Sequence, residues 1–326
     1  MATTALERLR RLLSLFSRED RLLIIINADP DAMASAMALK RLLWRQVSAT
    51  CIAHVNTISR PDNLAMIRHL KLDLLPFEKV SPEQFTRFAI VDSQPSHHEG
   101  LEGIGFDVII DHHPASGDEA TFVDIRPEYG AVSTIMTQYL RAAKIKPSVK
   151  LATGLFYGIK TDTSNFERKS VMEDVNAFQF LFRYVNVHMA RSIEQAELTL
   201  DSLKYYRRAL EAMRVQKRRV HVHLGPVSNP DVCVSIADFF MKIHDIAWTV
   251  VSGTYQGRLV IIVRNDEIRK DAGRLLSNVF GHLGTAGGHK GMARTEIPLE
   301  NLKGVVQYKD DKVISRWIAR QLDRHT

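Results

Sequence analysis

Seven residues in this 326-residue chain stand where chemistry could be done: Asp29, Asp31, Asp92, Asp111, His112, His113 and Asp162. Each follows an aliphatic run. Asp29 and Asp31 come directly after "LLIII" (22–26), Asp92 after "FAIV", the Asp111-His112-His113 triplet after "VII", and Asp162 after the apolar helix "LATGLFYGI". A single Asp after a strand is commonly a helix cap or a turn residue. Several converging on one sheet edge repel one another and are stable only with cations among them. Carboxylate oxygen with imidazole nitrogen suits Mn, Fe or Zn better than Ca. Many Asp with few His suggests two ions sharing bridging carboxylates, an arrangement that activates water and neutralises phosphate charge.

The elements that must position these residues follow from the pattern. Short aliphatic strands (22–26, 49–55, 88–92 and 106–114) alternate with helical segments such as "MASAMALKRLLWRQ" and "NLAMIRHL". That alternation predicts an α/β fold with a doubly wound, mainly parallel sheet, whose ligands bind at the carboxyl ends of the strands. The strands give way to a helical tract from about residue 171 to 217. A second, smaller α/β unit then runs through "RRVHVHL" and "IAWTVVSGTYQGRLVIIVRND" to the Gly-rich "FGHLGTAGGHKGMA". The expected division is 1–190, a helical linker 191–218 and 219–326, with the active-site cleft between the two domains. The spacing of Leu6, Leu9, Leu12, Leu13 and Phe16 predicts an amphipathic N-terminal helix.

Composition narrows the function classes. With 45% hydrophobic and 25% charged residues the chain reads as globular. No apolar run approaches the ~20 residues of a membrane span. Two cysteines, Cys51 and Cys233, imply neither a disulfide framework nor a Cys-based metal site, and a reducing cytoplasm is the expected location. A formal charge of +7 favours an anionic partner. Basic residues gather in "YYRRALEAMRVQKRRVHVH" (205–223), read as a solvated helix ending at a domain junction before a nucleic-acid patch.

"NADPDAMAS", "VDSQ", "DHHP" and "GIKTDT", in that order, resemble the four successive motifs of the DHH phosphoesterases, and "GTAGGHKGMA" resembles the Gly-Gly-His motif of the DHH-associated C-terminal domain. The resemblance covers residues 20 to 295. It implies a manganese-dependent hydrolase of phosphodiester or phosphoanhydride bonds, with two ions held by Asp29, Asp31, Asp92, His112 and Asp162. Asp92 and Asp162 would touch both ions. Asp111 would orient the His pair, and His113 would lie beside the reacting phosphate as a proton-transfer group. Arg264, Gly287, Gly288, His289 and Lys290 would grip the substrate.

Many family members begin the first motif with a His four residues before the first Asp; here that position is Ile25. One of the two manganese ions is therefore expected to bind weakly, with His97 and His98 as candidates to complete its shell. The expected substrates are short single-stranded oligonucleotides, cut from an end to mononucleotides, and nucleotide bisphosphates such as 3′-phosphoadenosine 5′-phosphate, as in the nanoRNase branch. No membrane partner is expected, and a homodimer is left open. Two further readings stand beside this one: a cyclic dinucleotide phosphodiesterase or phosphoanhydride hydrolase, and a nucleotide-binding protein weakened in turnover.

Overall fold

The computed structural model describes residues 4–98, 100–101, 103–167, 170–195, 200–266, 270–288 and 290–325. Its contacts divide the chain into two units, Met1–Ala196 and Glu197–Thr326. Within the first lie α1 (Ala5–Leu13), β1 (Arg21–Ile26), α2 (Pro30–Leu42), β2 (Ala49–His54), α3 (Pro61–Leu70), β3 (Leu75–Pro76), β4 (Arg87–Val91), β5 (Val108–Asp111), β6 (Phe122–Ile125), α4 (Val132–Ala142), α5 (Val149–Asp162), α6 (Met172–Phe182) and α7 (Val187–Glu194).

The six strands form one sheet in the order β3-β2-β1-β4-β5-β6, every pair parallel. The order reverses between β1 and β4, and that switch point opens a crevice at the strands' carboxyl ends. Asp29 and Asp31 follow β1, and Asp92 follows β4. The sequence expectation of a doubly wound parallel sheet is met in strand order, but the two faces are covered differently. Leu22, Ile24 and Ile26 join the core cluster that takes in buried residues from α1 through α7. Leu23 and Ile25 face the other way, against Ala53, Ile90 and Ile109 and beneath Leu101 and Phe106 of the β4–β5 connection. That second face is closed by single 3₁₀ turns and loops carrying Phe77, Val80 and Phe85.

The second unit holds α8 (Leu203–Ala212), β7 (Arg214–Gln216), β8 (Arg219–Pro226), α9 (Asp231–Met241), β9 (Trp248–Tyr255), β10 (Arg258–Asn265), α10 (Ala272–Phe280), β11 (Thr285–Gly288), β12 (Met292–Pro298) and α11 (Asp311–Asp323). Its sheet runs β11-β12-β10-β9-β8-β7, with only β8 and β9 parallel. The basic tract 205–223 is not one helix ending. It is α8, then a tight hairpin whose turn residues Lys217 and Arg218 both have positive φ (48° and 64°), then the start of β8. Three of its cations are engaged: Arg208 donates to the Leu224 carbonyl (2.6 Å), Arg218 to the Asp245 carbonyl (2.9 Å), and Arg219 pairs with Asp323 (3.2 Å). Among the described residues, no helix is long and apolar enough to cross a membrane.

Asp174, wholly buried at the start of α6, fastens the segment before α4. It accepts from the Gly130 N–H (2.9 Å), the Val171 N–H (2.9 Å) and the Thr134 hydroxyl (2.6 Å). Replacing it with Ala strands two buried donors and the half-buried Val171 N–H, a buried donor being worth about 1–3 kcal/mol when left unmade. Asp174→Ala should lower stability by about 3 kcal/mol, read as a shifted urea midpoint at unchanged slope.

Candidate metal centre

Asp29 and Asp31 bracket Pro30, the first residue of α2. Asp29 is its N-cap, accepting the Ala32 N–H at 2.9 Å, and Pro30 at that position loses no helical hydrogen bond. The loop is pinned from below by a side chain the sequence did not single out. Asn56 accepts the Ala28 N–H (2.7 Å) and donates to the Ala28 carbonyl (3.0 Å), and Asn63 donates to the same carbonyl (3.3 Å). Asp31, fully buried, accepts the Val132 and Ser133 N–H groups at 2.6 and 2.7 Å. It is thereby the cap of α4, whose own N-cap residue, Ala131, has no side chain to serve.

Asp162 ends α5. That helix approaches the Asp31 loop through Gly158, where an added Cβ would lie 2.6 Å from Ser133 Oγ and 3.1 Å from Asp31 Oδ1. About one turn away, a Cβ at Gly154 would meet Ala34 Cβ at 3.5 Å. The small residues of α2 are thus a packing surface for α5. Asp92 leaves β4 with φ +60°, a left-handed conformation that costs about 1–3 kcal/mol for a side chain of this kind and is typical of functional positions.

These elements bring the acids around His112. Its Nδ1 lies 3.2 Å from the Tyr129 carbonyl and donates to it, so Nε2 is turned toward Asp92 Oδ1 and Asp162 Oδ2, each at 3.4 Å. Among the described residues, Asp92 Oδ1 and His112 Nε2 are both buried without a hydrogen-bond partner. Asp31, Asp92, His112 and Asp162 each present a ligand atom, all within 4.8 Å of one another, and Asp92, His112 and His113 form a second such group. Among the described residues Asp29 belongs to neither group. His98 is bonded to Ser93 Oγ (2.7 Å) and the His97 ring stands edge-on to His113 at 6.0 Å, so neither joins these groups.

Burial, then mutual repulsion, sets the charge state. Burial and the charges of Asp29, Asp31 and Asp162 raise Asp92 well above the usual carboxylate range. Burial likewise lifts Asp29, against the Ala32 N–H, and Asp162, against His112. Asp31 stands at about 6: its burial and the Asp162 charge outweigh the His112 charge and the Ser133 hydrogen bonds. For His112 burial opposes the charged imidazolium, yet the Asp162 and Asp31 carboxylates prevail and hold it at about 9. A divalent cation fits here: it would replace the His112 proton and relieve the acids together.

Asp111 is different. Burial would raise it, but His113 Nδ1 (2.9 Å), the Gln94 amide (2.6 Å) and the His112 N–H (2.8 Å) hold it at about 2. Gln94, fully buried, also accepts from Ser116 N (2.7 Å) and Oγ (2.6 Å). It ties the segment after β4 to the one after β5. An amide does not titrate, so nothing in "VDSQ" advertised this role.

In the second unit, Gly287 and Gly288 lie in β11 opposite Arg294 and Ala293. A Cβ at Gly288, φ +147°, would fall 2.2 Å from the Met292 carbonyl, and its own carbonyl sits 2.5 Å from where a Gly273 Cβ would be. Glycine is required there by close backbone packing. The Lys290 carbonyl accepts the Ala272 N–H (2.9 Å), while its side chain is exposed. Arg264 Nε is committed to Asp238 at 2.6 Å. His289 lies outside the described residues.

Residues 21–159 match the family model described as DHH family, N-terminal domain. These residues are a DHH family domain. An uncharacterized protein of Methanocaldococcus jannaschii is 36% identical over 281 residues, 86% of this chain; the chain spans 58% of that relative's length. Among solved structures, an exopolyphosphatase-related protein from Bacteroides fragilis superposes with TM-score 0.76 at 15% identity, covering 98% of this chain and 96% of that one. The exonuclease RecJ bound to manganese superposes with TM-score 0.53 at 15% identity, covering 100% and 97%. At such identities the two structures share the fold with this chain.

The DHH domain's acids predict an unusual pH profile. A carboxylate raised to about 6 and an imidazole raised to about 9 both bind more protons folded than unfolded. Their stabilisation is present at low pH and is lost as pH climbs through roughly 4 to 9, the window between ordinary and shifted values. Asp111, depressed to about 2, contributes fully throughout that window. With EDTA present, the melting temperature should be several degrees lower at pH 8 than at pH 5, and added Mn²⁺ should restore it at pH 8. A flat or rising melting curve with EDTA would contradict this charge assignment.

Proposed function

We propose that the chain is a manganese-dependent two-metal phosphoesterase acting on short single-stranded oligonucleotides from one end, or on nucleotide bisphosphates. The observation that carries the reading is the buried pair Asp92 Oδ1 and His112 Nε2, lacking hydrogen-bond partners among the described residues and set between Asp31 and Asp162. Asp29, Asp31, Asp92, His112 and Asp162 are proposed to hold the metals, Asp29 through the oxygen its cap leaves over. Two divalent ions bound there would neutralise phosphate charge and make water a nucleophile at neutral pH.

The chain's own groups supply the rest. Asp31 is fixed by two backbone N–H groups, so its position is set before any ligand arrives. Asp111 stays ionised and keeps the His113 proton on Nδ1, which leaves Nε2 to pass a proton to or from the departing oxygen. Gln94 holds Asp111 in place. Arg264, Gly287, Gly288, His289 and Lys290 are proposed to bind the substrate's far phosphate or base. Arg264 would act through the guanidinium nitrogens that Asp238 does not occupy.

The decisive variant is Asp92→Ala. It removes a shared ligand and should reduce Mn²⁺-dependent turnover by about three orders of magnitude or more, while the metal-free fold is retained because a repelling charge is gone. The assay is a panel with Mn²⁺: di- to pentanucleotides, 3′-phosphoadenosine 5′-phosphate, cyclic di-AMP and pyrophosphate. Undiminished turnover in Asp92→Ala would sink the two-metal reading, and preference for cyclic di-AMP or pyrophosphate would redirect the substrate assignment.

Ile25 provides a second test. Its side chain is fully buried, in register with Ile90, two residues before Asp92. Ile25→His should lower the Mn²⁺ needed for half-maximal activity, since imidazole is a good ligand and isoleucine none. The same change should cost about 1–3 kcal/mol of metal-free stability by putting a polar ring into an apolar layer. Mn²⁺ titration beside thermal melts separates the two effects. An unchanged Mn²⁺ demand would show that residue 25 is not where a ligand is missing.

A further inference from the structure

The first unit has a second concavity, at the opposite ends of the helices that carry the acids. Here α2 ends, the chain leaves α3, and α5 begins. The cavity measures about 470 Å³, within the range of small-molecule sites. Its walls are Met37, Ile52, Leu72 and Leu151, of which Ile52 and Leu151 are buried core residues. Its rim carries Lys40, Arg41 and Lys71 against one carboxylate, Asp73, three positive charges to one negative. Among the described residues, Lys40, Arg41 and Lys71 form no ion pair, although Arg41 stacks on Trp44 at 5.3 Å.

Two features set this cavity apart from a chance hollow. Trp44, on its edge, is 58% exposed, with Arg45 against its ring at 4.2 Å. An indole so placed leaves a large apolar surface in water beside cationic groups. Lys71 and Arg45 also adopt left-handed backbone conformations, φ 58° and 68°, where Gly or Asn would be less strained. Basic residues at helix ends complement the dipole and explain Lys40 and Arg41. They do not explain an apolar cavity behind them or the exposed indole.

We propose that this cavity is a ligand site, distinct from the carboxylate cluster, for a small amphiphilic anion: an apolar or aromatic body of at most nucleotide size, bearing a phosphate or carboxylate. The body would lie on Met37, Leu72 and Trp44, and the anionic group between Lys40, Arg41 and Lys71. A neutral apolar ligand would leave the rim's net positive charge unmatched, and a bare inorganic anion would leave the apolar wall wet.

The probe is 8-anilinonaphthalene-1-sulfonate, an aromatic anion whose fluorescence rises on burial, titrated into the 326-residue chain without metal. The expected result is a saturable site whose dissociation constant rises about tenfold or more in Lys40→Glu/Lys71→Glu. Trp44→Ala, at an exposed position that does not threaten the fold, should weaken it several-fold. Displacement by AMP but not decanoate would assign a nucleotide; the reverse would assign a lipid-like carboxylate. Affinity within twofold of the parent in the double variant, or no displacement by either compound, overturns the proposal. Because the readout is binding alone, it stands apart from the hydrolase reading.

Discussion

Three carboxylates crowded about one imidazole, Asp31 and Asp92 buried and Asp162 half-buried, are the constraint to which the rest of the first unit answers. Taking an ionised carboxylate out of water costs several kcal/mol, and a hydrogen bond to a charged group returns about 1.5–3. Asp31 receives two backbone donors and is still held at about 6, so the fold supplies geometry without supplying enough charge. Asp92, with an oxygen that receives no hydrogen bond among the described residues, is further from balance. A protein that keeps such a cluster folded has left room for positive charge from outside itself.

The surrounding architecture serves to keep that cluster from relaxing. The sheet's switch point lies between β1 and β4 and brings the first turn of α2, with Asp31, beside Asp92 at the end of β4. α4 offers its first N–H groups to Asp31, α5 comes close enough to deliver Asp162 only because residue 158 has no side chain, and Asn56 clamps the turn between β1 and α2. Gln94 and Asp111 form a second, oppositely tuned layer, where hydrogen bonding overcomes burial and the acid stays ionised. Two aspartates at neighbouring strand ends are thus pushed in opposite directions, Asp111 down by its donors and Asp92 up by burial and its neighbours' charges.

Much of this was legible in the residues. Parallel strands follow from aliphatic runs alternating with helices, and the acids at their ends are visible because Asp is so seldom found there in numbers. The parts that escaped share a reason: they act through the backbone or through groups that carry no charge. Gln94, Asn56 and Gly158 have neither a titratable atom nor a periodic pattern, and α4's capping by Asp31 joins residues a hundred positions apart. The basic tract misled because it was judged by composition; the turn at Lys217 and Arg218 depends on two left-handed residues that neither Lys nor Arg announces. The second sheet face, closed by loops where helices were expected, has hydrophobic residues too irregularly spaced to show a period.

The capping of α4 by Asp31 has a consequence for time scales. Both oxygens of that carboxylate are already aimed by amides belonging to a different element, and the helix they cap is itself tied through Thr134 to Asp174. An arriving ion therefore finds one ligand that has no rotamer to search and no loop to fold. What remains to be surmounted there is the shedding of the ion's own water and the departure of the protons held by His112 and the raised carboxyls. At Asp31, capture of metal would then be governed by the hydration of the ion and the acidity of the medium, and hardly at all by motion of the chain.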